Sequence, residues 1–371
     1  MATSTIDRGR LAPKRALAEL ASGAVFGAAL LASGVYAPSI ITAQMTFTSN
    51  TMIVVMMGAS ASSAIIFDLE ERFKIPSHTL RPPSNLGFFR YDGNALGGAL
   101  IGLGMGLTGS CPGTSLVQAG TGMAHGGLVL AGGLLGALAF VKTQSHLQTH
   151  FGRTALSNRP PRTPAEDQHH LPPTKPSSLA ATLGINPLKL LLIWVPMCLA
   201  AIHLVFTQDT SVRQIPAAGL VRPIYGGLLI GVAQLITTLL ARHPLGVSTA
   251  YEDVARWLTT SRKEGRKSIL TPSVIFSLGM ALSAMILSFG LRAYGMLSAA
   301  DTHNSPLNQL GWKAAGQAIA GGITMVFGAR LAKGCTSGHG ISGLAAFSTS
   351  SLITTAAMFA GGILMARVLG Y

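Results

Sequence analysis

Two cysteines of this chain lie in glycine-rich runs that interrupt strongly apolar sequence. One run, Gly328–Gly343, holds Cys335, and a fainter copy around Cys111 lies 224 residues upstream. A thiol is a weak hydrogen-bond donor, and its thiolate is a nucleophile and a metal ligand. The pattern indicates a duplication around two thiols, because one offset aligns Gly97, Gly98, Gly104 and Cys111 with Gly321, Gly322, Gly328 and Cys335.

The residues next to each cysteine predict an interruption of the helix. A glycine inside a helix costs about 1 kcal/mol relative to alanine, and Pro112 lacks a backbone donor. Unwound backbone within a membrane is tolerated where it is buried in protein or lines a polar cavity. The backbone amides at the start of the next helix can then donate hydrogen bonds to an anion. We predict a substrate pathway formed by Cys111 and Cys335 with Ser110, Pro112, Gly113, Gly334, Thr336, Ser337, Gly338 and His339.

The composition is that of a membrane protein. Of the 371 residues, 49% are hydrophobic and 11% are charged, whereas soluble domains carry about 25% charged residues. Apolar stretches of roughly 17 to 25 residues, the length that crosses a bilayer as a helix, recur along the whole chain. The predicted fold class is therefore an all-α integral membrane protein.

About nine spans are predicted, and the basic residues between them indicate an orientation. With the N-terminus inside, most lysines and arginines fall on inner segments, as the positive-inside rule requires. The net charge of +14 then has an explanation in membrane orientation rather than in nucleic-acid binding. We predict a multi-pass plasma-membrane protein with a cytoplasmic N-terminus and spans near 20–42, 46–67, 95–110, 123–141, 187–206, 222–241, 273–292, 313–332 and 351–369.

Four spans on each side of a single connecting span predict a 4+1+4 inverted repeat with broken helices and central loops. This plan recurs in transporters, whose sites lie at the repeat interface. Each repeat is predicted to break its helices first near 34–39 or 243–248, and again at its cysteine. The predicted segments are a cytoplasmic N-tail 1–19, a first repeat 20–141, a proline-rich disordered cytoplasmic linker 142–186, a connecting helix 187–206 and a second, inverted repeat 222–371.

Several other side chains have more than one interpretation. Arg330 and Lys333 either steer anions into the pathway or anchor the topology at the inner interface. His339 either tunes the thiol, ligates a metal or holds the loop by a hydrogen bond, and the last is favoured. Cys198 lies in an apolar run without glycine or charge nearby and is predicted to be a packing residue. We expect no cofactor and no metal site.

On these motifs the chain resembles the YeeE/YedE family of sulphur-transport membrane proteins. The resemblance rests on Gly328–Gly343, Gly109–Gly113 and Arg242–Glu252, and so covers both halves. The best understood relatives take up thiosulfate through a helical inverted repeat and pass the ion between thiols by S–H to sulfur hydrogen bonds. The resemblance implies relay roles for Cys111 and Cys335, while a further early cysteine of bacterial relatives has no counterpart here.

The residues and the resemblance together predict a transporter, not an enzyme. It is expected to take up a small sulfur-containing anion, with thiosulfate as the first choice. Helix amides, hydroxyls and thiols would replace the water of the ion, and weak thiol bonds would allow its release. The alternative is a membrane sulfur-transfer enzyme in which Cys335 carries a persulfide. The expected partners are the anion, membrane lipid and a cytoplasmic sulfur-accepting protein, with no nucleic acid. No acidic residue lies clearly within a predicted span, so the sequence indicates no proton or sodium coupling site.

Overall fold

The computed structural model describes residues 12–75, 80–156, 178–260, 268–295 and 311–370, whose regular structure is helical. The first part contains α1 (Pro13–Ala32), α2 (Pro38–Met45), α3 (Thr51–Arg72), α4 (Asp92–Thr108), α5 (Thr114–Gly120) and α6 (Ala124–Leu156). Two helices follow, α7 (Leu179–Leu183) and α8 (Pro187–Gln208), and then a 3-10 turn, Thr210–Arg213. The second part contains α9 (Pro223–Leu240), α10 (Ser248–Thr259), α11 (Pro272–Ala293), α12 (Trp312–Leu331), a π-helical segment Ser337–Gly343 and α13 (Thr349–Val368).

Seven of the described helices are long and apolar enough to cross a membrane, namely α1, α3, the 124–144 part of α6, α8, α9, α11 and α13. This confirms the prediction of an all-helical, multi-pass membrane protein. The two long helices outside this set are α4, with 17 residues, and α12. Both are rich in glycine and both end directly before a cysteine loop. The count of nine spans stays a prediction that depends on these two helices.

The chain breaks its helices where proline and glycine occur. Proline occupies the first position of α1, α2, α8, α9 and α11, where its missing N–H costs nothing and its fixed φ suits a helix start. The interruptions predicted near 34–39 and 243–248 are found between α1 and α2 and between α9 and α10. Helix α6 continues to Leu156, inside the range 142–186 predicted as a linker. The proline-rich part of that range, 157–177, lies outside the described residues.

The centre of the fold is the crossing of α4 and α12, whose closest points are glycines. A Cβ atom at Gly97 would lie 2.6 Å from the Gly328 carbonyl oxygen, and one at Gly104 would lie 2.5 Å from the Gly321 carbonyl oxygen. Helix backbones in membranes approach this closely only where small residues line the contact. Helix α4 also packs against α13, and α12 packs against α6, so each of the helices that precede the cysteine loops contacts two other helices. Helix α8 packs against α3 at the periphery.

Replacing Gly104 by alanine is expected to destabilise the folded protein by about 1–3 kcal/mol, the usual cost of overpacking. The matched control is Gly127→Ala on α6, where an added Cβ meets no atom within 4 Å and alanine favours the helix. Thermal unfolding of the two purified variants should give a lower Tm for Gly104→Ala only. Equal Tm values would contradict the close crossing.

Candidate functional site

Two loops in the middle of the fold hold the cysteines. Helix α4 ends at Thr108, and Gly109 terminates it with a left-handed φ of 60°, which glycine adopts without the steric cost of a Cβ. Cys111 follows in the loop before α5 and is 6% exposed. In the second loop Cys335, 1% exposed, lies between the end of α12 and the π-helical segment. Both thiols are free and buried.

The Cys111 sulfur lies against the start of α5. The backbone amide of Thr114 donates to this sulfur at 3.3 Å, and the Thr114 hydroxyl lies 3.4 Å from it. That hydroxyl also accepts a hydrogen bond from the Cys111 amide at 2.7 Å. On the far side of the loop, Tyr251 donates to the Pro112 carbonyl at 2.9 Å and lies 2.8 Å from the Ser115 hydroxyl. The thiol is therefore held in one position by local bonds and by α10.

The Cys335 sulfur contacts a second broken helix. The Val247 amide, in the loop between α9 and α10, donates to it at 3.5 Å, and the Ser337 hydroxyl lies 3.3 Å from it. His339 donates its backbone amide to the Cys335 carbonyl at 2.8 Å. Its ring nitrogens lie 2.9 Å from the Ser351 hydroxyl and 3.1 Å from the Ala332 carbonyl. The imidazole thus ties the loop to α12 and α13, as the favoured interpretation of His339 predicts.

A small cavity lies between the two loops. It has a volume of about 30 Å³, which is room for about one water molecule. Its polar lining comes from both loops, Cys111 and Thr114 on one side and Thr336 and Ser337 on the other. The rest of the lining is mostly apolar and belongs to α1, α3 and α9, including Phe26, Leu30, Val55, Met56 and Ile230. An anion of several heavy atoms does not fit into a cavity of this size.

Arg81 contacts the Cys335 loop and is a residue of this site that the sequence analysis missed. Its guanidinium donates to the carbonyls of Gly338 at 2.8 Å, Lys333 at 3.2 Å and Leu245 at 3.5 Å. One cation therefore joins the Cys335 loop to the loop before α10. Glycine at position 338 leaves room for this side chain, since a Cβ there would lie 2.6 Å from the guanidinium. Arg81 precedes two prolines in a polar segment. Nothing in this local sequence predicts its contact with Gly338, which is 257 residues away.

The two cations predicted near the pathway take supporting positions. Arg330 forms an ion pair with Glu252 of α10 and bonds to Ser248 at 3.3 Å. Lys333 donates from Nζ to the Pro83 carbonyl at 3.0 Å. Both cations thus have partners within the protein, and the choice between anion steering and topology anchoring stays a prediction.

Three further predicted residues lie in or beside the loops. Ser110 donates to Gln118 Oε1 at 2.6 Å, and Gln118 donates in turn to a carbonyl between α1 and α2 at 2.7 Å. Gly113 lines the cavity between the loops. Gly334 leaves room for the imidazole of His339, because a Cβ there would lie 2.7 Å from its Nε2. Of the three, Gly113 alone faces the cavity, while the other two support the loops from behind.

Cys198 lies away from both loops, in the middle of α8. It is fully buried, and its sulfur lies 3.9 Å from the thioether of Met57 on α3. Its contacts are those of a packing residue, in agreement with its sequence context.

The two loops offer uncharged, weak hydrogen-bond donors to a ligand between them. The lining includes one thiol, that of Cys111, and three residues with hydroxyl groups, Thr114, Thr336 and Ser337, and no carboxylate is among the lining residues. The Cys335 sulfur lies next to this lining, 3.3 Å from the Ser337 hydroxyl. Sulfur is large and polarizable, and such groups interact with a soft ligand without the strong binding of a buried ion pair. The arrangement suits transient contact with a sulfur-containing anion.

Comparison with known proteins places these loops in a wider context. A family model described as sulphur transport matches residues 32–364, a range that contains both cysteine loops. The thiosulfate transporter TsuA of Spirochaeta thermophila is 24% identical over 281 residues, which cover 75% of this chain and 77% of the relative. A probable transporter of Xylella fastidiosa is 28% identical over 148 residues, or 40% of this chain and 93% of the relative.

Replacing Arg81 by methionine is expected to lower the free energy of unfolding by about 2–4 kcal/mol. A bond from a charged donor contributes about 1.5–3 kcal/mol, and of the three bonds the one to Gly338 is short at 2.8 Å, while those to Lys333 and Leu245 are 3.2 and 3.5 Å long. The control is Arg72→Met, which removes an exposed ion pair with Asp68 and should cost at most about 1 kcal/mol. Thermal unfolding of the purified variants measures both effects. A Tm for Arg81→Met as high as that of the control would show that the three carbonyl contacts contribute little.

Proposed function

Because the chain belongs to the sulphur-transport family, we propose that this membrane transporter carries thiosulfate, or a closely related sulfur-containing anion, between Cys111 and Cys335. The observation that carries the proposal is the meeting of the two cysteine loops around one small cavity. The relative from Spirochaeta thermophila, a thiosulfate transporter, supports this choice of substrate. The proposed pathway runs past Cys111 and Thr114 to Ser337 and Cys335.

The thiols serve as exchangeable partners in this proposal. Each sulfur already receives a backbone amide, from Thr114 in one loop and Val247 in the other. A thiosulfate sulfur arriving beside either thiol meets an S–H donor and nearby N–H donors. Because these bonds are weak, the ion is not trapped on its way through a region where its charge is costly to desolvate.

We further propose that the two parts of the fold form an inverted repeat whose interface holds the pathway. The contact of Gly97 with Gly328 has a counterpart with the partners exchanged, the contact of Gly321 with Gly104. These two contacts are related by the offset of 224 residues that aligns the cysteines. The helix contacts also occur in matching pairs. Helix α4 packs on α13, and its counterpart α12 packs on α6. Helix α1 packs on α11, and its counterpart α9 packs on α3. Such exchange of partners is expected of repeats related by a two-fold axis.

In the proposed orientation the N-terminus and Arg81 face the cytoplasm, and the protein lies in the plasma membrane. The anion then leaves on the Arg81 side, where a cytoplasmic sulfur-accepting protein can receive it. The sulfur-transfer alternative with a persulfide on Cys335 is not favoured, because the family and the relatives are described as transporters.

Uptake into proteoliposomes of thiosulfate labelled on both sulfurs tests the role of the thiols. Cys111→Ala and Cys335→Ala are each expected to reduce the initial rate at least about tenfold, the effect of roughly 1.4 kcal/mol on a transport barrier. Cys198→Ala is the matched control and should transport at a rate close to that of the parent protein. Equal rates in all three variants would contradict a cysteine pathway, and a labelled persulfide on Cys335 without uptake would favour sulfur transfer.

Competition by unlabelled anions tests the preference for sulfur. We expect selenosulfate to compete with labelled thiosulfate in the same concentration range as thiosulfate itself, because its terminal selenium is also soft and polarizable. Sulfate, whose outer atoms are all oxygen, should compete at least about tenfold less well, a difference of roughly 1.4 kcal/mol. Equal competition by sulfate would mean that charge and size, rather than the thiols, select the ion.

A further inference from the structure

A carboxyl group is buried in the first membrane-spanning helix, where the sequence indicated none. Glu19 belongs to α1, which begins at Pro13, and its side chain is 0% exposed. One carboxyl oxygen lies 2.8 Å from Nε2 of His243, and the other has no hydrogen-bond partner among the described residues. A buried carboxylate is costly in a membrane unless it is paired or protonated. This group therefore needs a function or a compensating charge.

Both ring nitrogens of His243 face hydrogen-bond acceptors. Nδ1 lies 3.0 Å from the Pro244 carbonyl oxygen, and Nε2 lies 2.8 Å from Glu19. A neutral imidazole has only one N–H. The two contacts can both be hydrogen bonds only when the pair holds one proton more than a neutral imidazole and a carboxylate. That proton lies either on the ring or on the carboxyl group. Loss of that proton would set lone pairs against each other and weaken one contact.

The pair has access to solvent on one side. The His243 side chain is 34% exposed and lines a cavity of about 280 Å³, whereas Glu19 lies behind it. Arg81 lines the same cavity and donates to the carbonyls of Lys333 and Gly338 on either side of Cys335. One cavity therefore joins the proton-holding pair to the Cys335 loop.

The charged groups around His243 link its proton to an anion. Helix α1 presents Arg15 as well as Glu19, Arg242 is its exposed neighbour in the loop, and Arg81 lies across the cavity. From α11, Phe276 packs against the ring at 6.0 Å between centroids, and α10 presents the uncharged Ser248 and Thr249. The arginines oppose a positive imidazole, so an anion beside Arg81 favours its protonation. By reciprocity the proton favours the anion.

We propose that Glu19 and His243 form the proton-binding site of a proton-coupled anion transporter, loaded when the anion occupies the cavity shared by His243 and Arg81. The inference rests on the proposed function, since it assigns that transport its energy source. Uptake of a divalent anion against a membrane potential that is negative inside requires such a source. Protons that enter with the anion offset its charge.

Two measurements on proteoliposomes separate coupling from transport itself. In the first, labelled thiosulfate is added outside the vesicles, and a pH gradient that is acid outside drives its accumulation inside. Valinomycin and potassium clamp the membrane potential. One coupled proton gives up to about tenfold accumulation per pH unit. In the second, labelled thiosulfate exchanges with unlabelled thiosulfate at equal pH on both sides, and no net proton movement is needed.

Glu19→Gln is expected to lose accumulation driven by the pH gradient while it keeps exchange within about twofold, a difference of only about 0.4 kcal/mol. His243→Gln should also lose the accumulation driven by the pH gradient. The control is Asp68→Asn, which removes a carboxylate paired with Arg72 on the surface and should keep both activities.

Three outcomes would overturn the inference. The parent protein could exchange thiosulfate without responding to the pH gradient, or Glu19→Gln could retain the full gradient response. Loss of both activities in Glu19→Gln and in His243→Gln would assign the pair a purely structural role. A parent protein that shows neither exchange nor uptake would instead contradict the proposed function.

Discussion

The fold depends on satisfying the backbone polar groups where helices break inside the membrane. No water in the lipid can bond to these groups, so protein side chains must do so. At the end of α12 the successive carbonyls of Leu331, Ala332 and Lys333 accept bonds from Ser84, Asn94 and Arg81, respectively. These donors come from the segment 81–94, at the start of α4. The helix break beside Cys335 is therefore stabilised because the other part of the fold supplies its hydrogen-bond partners.

The same constraint explains why thiols rather than fixed charges would serve the proposed pathway. An arginine inside the protein needs several partners, and the half-buried Arg81 meets this need by donating to three backbone carbonyls. Cysteine makes a smaller demand, because its S–H is a weak donor and its side chain also packs as an apolar group. Cys111 and Cys335 are both buried, and in the proposed pathway they would still offer weak contacts to an ion that arrives. Such contacts would hold the ion only transiently.

The sequence predicted those features that leave a local or repeated pattern. The long helices follow from apolar runs, and the cysteine loops follow from glycine and from the duplicated spacing of Gly97 and Gly104 with Cys111. Arg81 had no such pattern, because its partners are distant in sequence and an arginine between spans is also what membrane orientation requires. Glu19 was placed in the N-tail because apolarity, rather than Pro13, set the predicted start of the first span. Its partner His243 is 224 residues away, so only the tertiary structure joins them.

The most direct test of the central claim is to locate the ion in the protein. Selenosulfate can be soaked into crystals, and anomalous scattering then gives the position of its selenium. The account predicts a selenium peak between the two cysteine loops, in non-covalent contact with the sulfur of Cys111 or Cys335. A peak outside the protein core, or a covalent bond from selenium to Cys335, would contradict passage of the intact ion between the thiols.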